Sequence, residues 1–323
     1  MNVITSPNNI LEIKDLNLRY QTLAGEVYAI NHVSLWLEKG QALGLVGESG
    51  CGKTTLAMAI MGLLPKNVKI ASGRILFQQE DLLGKTREEM RKIRWRHISM
   101  IFQGAMNVLN PVQRVGDQIV EAILTHMNLS RDEARDRVAD LYEMVDLDPK
   151  RINDYPHQYS GGMKQRAVIA MALACSPDLV IADEPTTALD VMVQHQILDE
   201  LNKLRNSLEM SLIYISHDIS IIAETCRRVG VMYAGSVMEH ADALDLFAHP
   251  RHPYTRGLLS SYPSLLGDKK RLDPIPGEPP NLLEYPNSCI FCHRCPERDD
   301  VCRRTLPELR EVAPGHMVYC HRA

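Results

Sequence analysis

Leu43-Gly44-Leu45-Val46-Gly47-Glu48-Ser49-Gly50-Cys51-Gly52-Lys53-Thr54 is the stretch on which the reading of this chain turns. Leu43 to Val46 is a short apolar run of the kind that forms a buried strand, and Gly47 to Thr54 matches the pattern G-x-x-x-x-G-K-[ST]. From Thr54 to Leu64 the apolar residues Leu56, Ala59, Ile60 and Leu63 share one helical face, and Pro65 ends the run. Strand, glycine loop and helix thus follow in the order that a phosphate-binding loop requires. Glycines let the backbone N–H groups wrap phosphate oxygens, and the helix N-terminus adds positive potential. Lys53 would meet the β and γ phosphates, Thr54 can ligate Mg²⁺, and Thr55 is expected among the ATP-binding residues. A flexible loop that matches by chance is the plain alternative, and the flanking strand and helix argue against it.

Further along, Leu179-Val180-Ile181-Ala182-Asp183-Glu184 reads as a hydrophobic strand ending in two carboxylates. Beside a phosphate loop, Asp183 would hold Mg²⁺ through water and Glu184 would polarise the attacking water. Alone, such a pair is as often a solvated strand end. The runs Leu212–Ile215 and Val229–Met232 alternate with helix-like segments, which predicts parallel, doubly buried strands in an α/β core. Before the loop, Ile10, Leu11, Ile13, Leu16 and Leu18, then Val27, Ala29, Ile30, Val33, Leu35 and Leu37, suggest antiparallel strands. Between loop and carboxylates, Ile119 and Ile123, then Ala134, Val138, Leu141 and Val145, recur with helical spacing.

Tyr159-Ser160-Gly161-Gly162-Met163 precedes a helix shortly before the Asp183-Glu184 strand, and here the sequence resembles the ATP-binding cassette (ABC) family. This stretch is similar to the family's signature sequence, with Met163 where many members have Gln. Other family elements follow in order: Gln103 after Ile98–Phe102, Ala188-Leu189-Asp190 after the carboxylates, and His217 after Leu212–Ser216. Singly, a Gln or His at a strand end is usually structural. The resemblance implies that Ser160, Gly161, Gly162 and Met163 read the γ-phosphate of ATP held by a partner cassette, and that Asp190 links the two sites. It further implies that His217 contacts the γ-phosphate, that Gln103 senses Mg²⁺ and the permease, and that Glu184 is the catalytic base. Tyr20, or else Tyr28, would stack on adenine.

The tail narrows the branch. Met232-Tyr233-Ala234-Gly235, Leu246-Phe247, His252-Pro253-Tyr254-Thr255 with Leu258-Leu259, and Pro274-Ile275-Pro276-Gly277-Glu278-Pro279-Pro280 look like the ATPases of oligopeptide and dipeptide importers, as does Asn110-Pro111. Gly104-Ala105-Met106-Asn107-Val108 departs from the Asp-Pro-Met-Thr-Ser run of many such members, which leaves nickel or oligosaccharides open as the solute. Prolines gather from Pro263 to Pro286 and favour extended, packed-down coil, so the expected division is an ABC ATP-binding domain over residues 8–262, with a helical subdomain at about 104–176, and an appendage over 263–323. The expected fold is an α/β P-loop ATPase core with an antiparallel β subdomain, a helical subdomain and a small metal-bearing C-terminal appendage.

Five of the eight cysteines, Cys289, Cys292, Cys295, Cys302 and Cys320, lie in that tail. In a reducing compartment their spacing reads as a metal site before it reads as disulfides. Cys289-x2-Cys292-x2-Cys295-Pro296 begins like a ferredoxin cluster run. By resemblance to the importer branch, a [4Fe-4S] cluster would take Cys289, Cys295, Cys302 and Cys320, with Cys292 an extra thiol or a substitute. Tetrahedral Zn²⁺ and a disulfide pair are the rivals. Cys51, Cys175 and Cys226 read as packing residues.

Composition sets the outer limits. Of 323 residues, 45% are hydrophobic and 24% charged, the mix of a folded protein. A formal net charge of −4 offers no general attraction to nucleic acid. The start, MNVITSPNNILEIKDL, lacks a basic region before an apolar one, and no run is long enough to span a bilayer, so the expectation is a peripheral protein on the cytoplasmic face of the membrane. The resemblance implies a second cassette, either a sister chain or another copy, two permease subunits and, indirectly, an extracytoplasmic solute-binding protein. A non-transport cassette ATPase acting on nucleic acid or ribosomes is the alternative of another class. It is opposed by the lack of a long coiled-coil insert between Thr54 and Ser160 and of a basic tail.

Overall fold

A computed structural model of the chain describes residues 6–104, 108–186, 189–261, 275–283 and 287–323. Ala105, Met106, Asn107 and Ala188, together with Pro263, Pro274 and Pro286, lie outside the described residues, and so does the expected boundary at 262/263. Two compact units result: Met1–Glu38, Ala42–Leu83 and Ile215–Ala323 form the first, and Lys39–Gln41 with Gly84–Tyr214 the second. The strands in chain order are β1 (Asn9–Thr22), β2 (Gly25–Glu38), β3 (Ala42–Val46), β4 (Val68–Phe77), β5 (Glu80–Asp81), β6 (Ile98–Ile101), β7 (Leu179–Asp183), β8 (Ser211–Ile215), β9 (Arg228–Tyr233), β10 (Ser236–Asp242), β11 (Leu309–Ala313) and β12 (His316–Tyr319).

In the first unit β2, β1, β4 and β5 form a sheet in that order, with β1 antiparallel to both β2 and β4. Leu11, Ile13, Leu16 and Leu18 of β1 are wholly buried. The step of three from Ile13 to Leu16 breaks strict alternation. A register shift there, with Asp15 at φ +46°, inserts the extra residue and returns Leu16 to the core. A second sheet runs β11-β12-β10-β9-β3, in which β3 and β9 are parallel and β10 pairs antiparallel with both β9 and β12.

The helix after the glycine loop spans Lys53–Ile60, shorter than the predicted Thr54–Leu64. Gly62, at φ +60°, turns the chain, and its N–H and that of Leu63 bond back to Ala59 and Met58 carbonyls. The helix therefore closes on a left-handed glycine before Pro65 is reached. Beyond the proline-rich span the tail contains strands that no sequence pattern marked. Leu309–Ala313 and His316–Tyr319 form a hairpin, and Glu239 and His240 of β10 pair with Val318 and Met317.

In the second unit the strands run β8-β7-β6, with β6 and β7 parallel. Helices Val115–His126, Arg131–Met144 and Gly161–Leu173 form the helical part. The residues that carried the helical periodicity, Ile119, Ile123, Ala134, Val138, Leu141 and Val145, are all at most 3% exposed. Ser130 and Glu133 form a reciprocal cap that starts Arg131–Met144. Buried Arg166 donates to the Val145 carbonyl at 2.7 Å and pairs with Glu200. Among the described residues no helix is long and apolar enough to cross a membrane.

Candidate functional site

The glycine loop links β3 to the helix Lys53–Ile60 in the first unit. Gly47 sits at φ +151°, and a Cβ there would lie 2.1 Å from the Met232 carbonyl oxygen of β9, so only glycine lets the loop lie this close to the sheet. Lys53 is buried, and its Nζ donates to the Gly47 carbonyl at 2.7 Å and the Glu48 carbonyl at 3.1 Å. An ammonium is thereby held over the loop at a helix N-terminus, a positive cradle suited to phosphate. The Tyr20 hydroxyl stands 3.4 Å from Thr55 Oγ1 at the start of the same helix. One face of the Tyr28 ring is covered by the Arg19 guanidinium at 4.8 Å. Cys51 is buried next to Lys53; burial pushes its thiol pKa up, against the pull of the ammonium.

In the second unit, Asp183 closes β7 and is 2% exposed. Glu184 follows at φ +46°, a left-handed conformation uncommon for a residue with a side chain and concentrated at functional sites. Because β6 and β7 are parallel with Ile101 opposite Ala182, the residues past their ends emerge side by side. Gln103 Nε2 accordingly donates to Glu184 Oε2 at 2.7 Å. Ser160 caps the helix Gly161–Leu173, its hydroxyl accepting the Met163 N–H at 3.3 Å, so Gly161 and Gly162 form an accessible first turn with positive potential. Arg151 reaches the Met163 sulfur at 3.3 Å. Asp190 caps Val191–Ser207 through the Val193 N–H at 3.0 Å. His217 is exposed in the loop after β8, within the first unit.

The tail brings its cysteines near one another. Cys289, Cys292, Cys295, Cys302 and Cys320 are all free and buried. Cys289 N–H donates to the Cys302 carbonyl at 3.0 Å, Cys292 N–H to that of Cys289 at 2.9 Å, and Arg322 N–H to the Cys320 sulfur at 3.4 Å. Desolvation, then the neighbouring Cys302, Cys320 and Cys292, pushes the Cys289 thiol up to about 12. Sulfur is the donor type that Fe–S clusters and Zn²⁺ take, and a metal bound here would have to displace these protons against that shift. The expected four-cysteine ligand set is nevertheless not assembled: among the described residues no three His, Cys, Asp or Glu side chains converge on a metal-holding point.

One contact had no counterpart in the sequence reading. Arg294, between Cys292 and Cys295, is buried and makes a bidentate pair with Glu48 of the glycine loop, Nη1 to Oε2 at 2.7 Å and Nη2 to Oε1 at 2.9 Å. The two residues are 246 positions apart, and neither belongs to a pattern that would have paired them.

Comparison with known proteins shows which sequences and folds the chain is similar to. The family model described as "ABC transporter" matches residues 30–187, and that described as "Oligopeptide/dipeptide transporter, C-terminal region" matches residues 238–302. The dipeptide transport ATP-binding protein DppD of Bacillus subtilis is 46% identical over 96% of this chain and 94% of its own length. The oligopeptide transport ATP-binding protein OppD of Escherichia coli is 44% identical over 97% and 93%. Among solved structures, the dimeric cassette MJ0796 in a post-hydrolysis state with ADP and Pi superposes with a TM-score of 0.65 at 28% identity, covering 72% of this chain and 98% of that one. The cbiO1 protein of Clostridium perfringens, part of an ABC transporter complex, gives 0.66 at 29% identity, over 75% of this chain and 92% of its own.

Proposed function

The chain belongs to the ABC transporter family, in its oligopeptide/dipeptide branch, and from that membership we propose how its own residues perform the work of an importer ATPase. It converts ATP and water to ADP and phosphate and couples this to uptake of oligopeptides or dipeptides. The contact from Gln103 to Glu184 is the observation that carries the mechanism. Glu184 holds the attacking water and takes its proton as the oxygen bonds to the γ-phosphorus and the bond from that phosphorus to the β-γ bridging oxygen breaks, its electron pair leaving with ADP, while Gln103 fixes the carboxylate at the strand end. Loop amides from Gly47 to Thr55 and the Lys53 ammonium bind the β and γ phosphates, Tyr20 stacks on adenine, and His217 donates to the γ-phosphate. Thr54, Gln103 and Asp183 would hold Mg²⁺, which when bound neutralises charge building on the phosphates.

Ser160, Gly161, Gly162 and Met163 offer a polarised helix start to ATP bound by a second cassette, and Asp190 lies at the seam of that pair. The partner is a sister chain or another copy; the dimeric MJ0796 structure supports such pairing. We assign the chain to the cytoplasmic side of the membrane, bound to two permease subunits, with a solute-binding protein acting outside. Residues 8–262 are the ATP-binding domain, about 104–176 its helical part, and 263–323 the appendage. Cys289, Cys295, Cys302 and Cys320 would hold a [4Fe-4S] cluster, with Cys292 as substitute; five buried free thiols and the N–H bond to the Cys320 sulfur support this, and the group would staple the tail.

The reading is tested with Glu184→Gln in the importer complex. Phosphate release should fall by about 10²–10⁴-fold with ATP still bound. Turnover within two-fold of the parent would remove Glu184 from the mechanism.

A further inference from the structure

Every polar group of Glu48, the second residue of the phosphate loop, is engaged, and from two directions the partner is the C-terminal part of the chain. Its N–H donates to the Tyr254 hydroxyl at 3.1 Å. Its carbonyl accepts from Lys53 at 3.1 Å and from the Cys51 N–H at 3.2 Å. Its carboxylate takes both arms of Arg294. Arg294 is in turn fixed by the carbonyls of Pro276, at 2.9 Å from Nε, and Ile275, at 3.2 Å from Nη2, and lies 5.6 Å from the Tyr233 ring centre. Phe291, wedged edge-on at 5.3 Å from Tyr233 and 5.4 Å from Tyr254, packs the same spot.

We propose that Arg294 is a positioning residue for nucleotide binding: the Cys292–Cys295 turn delivers it to Glu48, and the clamp sets the shape and charge of the phosphate loop. Two physical effects act together. A phosphate loop binds tightly only if its amides already converge, because ordering a loose loop on binding subtracts from affinity. An unpaired Glu48 carboxylate would also repel a polyphosphate, and the guanidinium cancels that charge through a bidentate pair that only Arg provides with this geometry. The tail is therefore a strut for the nucleotide site as well as a separate appendage, and any change in the order of the cysteine turn is transmitted to ATP affinity through one side chain.

The inference rests on reading residues 47–54 as the ATP loop, and the test separates the two. The full chain is titrated with a fluorescent ATP analogue, and KM and kcat are measured in the importer complex for the parent, Arg294→Ala, Arg294→Lys, Glu48→Gln and the double variant Glu48→Gln/Arg294→Ala. Iron content and melting temperature are recorded on the same samples. Arg294→Ala should raise both Kd and KM about ten-fold, about 1.4 kcal/mol of binding, with kcat within two-fold. Arg294→Lys should recover part of the affinity, and the double variant should be no weaker than the weaker single one. If Arg294→Ala does not fold, Tyr254→Phe, which removes only the hydroxyl facing the Glu48 N–H, should raise Kd in the same direction. Unchanged Kd in folded Arg294→Ala, effects that multiply in the double variant, or a fall in kcat at constant KM would each overturn the proposal. Failure of the parent to bind the analogue would instead refute the loop assignment.

Discussion

Replacing His316 by Ala is expected to loosen the tail from the sheet that carries the phosphate loop. His316 is 1% exposed and Glu239 wholly buried. The imidazole donates from Nε2 to Glu239 Oε1 at 2.7 Å and from Nδ1 to Asp245 Oδ2 at 2.6 Å. Glu239 also accepts the N–H groups of Arg251 and His252, at 2.8 and 2.9 Å, so it ties β10, the turn before the helix Pro253–Ser260 and β12 together. Without the imidazole, a fully desolvated carboxylate keeps two amide donors and loses its counter-charge, a loss of about 3–5 kcal/mol. An unfolding entropy of about 2.1 cal/mol/K per residue over 323 residues is ~0.7 kcal/mol/K, so the melting temperature should fall by ~4–7 °C. Differential scanning fluorimetry reads this directly. Glu239→Gln combined with His316→Ala should recover much of the loss, because no buried charge is then stranded. A melting point within 1 °C of the parent for His316→Ala would show that the pair contributes nothing.

The same pair gives the pH profile its sign. Burial alone would lower the His316 pKa, but its bonds to Glu239 and Asp245 more than reverse this and raise it above 6.5. Burial alone would raise the Glu239 pKa, but His316 and the backbone donors bring it below 4.5. The histidine contribution is complete below pH 6.5 and is lost as pH rises through the raised value, whereas the glutamate contribution is complete above pH 4.5 and is lost as pH falls through the lowered one. The other titratable groups around the pair include Asp245, His249 beyond it, His240, which burial holds neutral, and His252, which burial lowers to about 4 against the pull of Glu239. The difference in melting temperature between parent and His316→Ala should thus be largest between pH 4.5 and 6.5 and shrink on the alkaline side. A difference that grows with rising pH would refute the protonated imidazole.

Two further outcomes are expected. Gly47→Ala should abolish ATP binding in a chain of near-parental melting temperature or fail to fold, since its Cβ would sit 2.1 Å from the Met232 carbonyl; parental affinity in a titration would disprove the close approach. Protein purified without oxygen should contain about four irons and about four acid-labile sulfides per chain; zinc without iron would replace the cluster by a structural Zn²⁺ site, and neither metal would remove the metal from the tail.

The order of elements was legible because phosphate loops, buried strands and helix starts depend on residues adjacent in sequence. Gly47, Lys53 and Ser160 each act within a span of a few residues, and the structure places them on the strand end, helix start and helix cap that their patterns predict. The pairing of Gln103 with Glu184 was only implicit: it follows from two parallel strands ending at the same height, which neither strand records by itself. The tail was least legible. Beyond its proline-rich span, His316 and Val318 alternate inward on β12, where β10 offers a partner edge and Glu239 a buried counter-charge that lie far away in the sequence. Arg294 reads as an ordinary polar residue between two cysteines until the fold brings Glu48 to it. Local chemistry is written in local spacing, whereas the contacts that couple the tail to the nucleotide loop cross more than 200 residues and arise only from the tertiary packing.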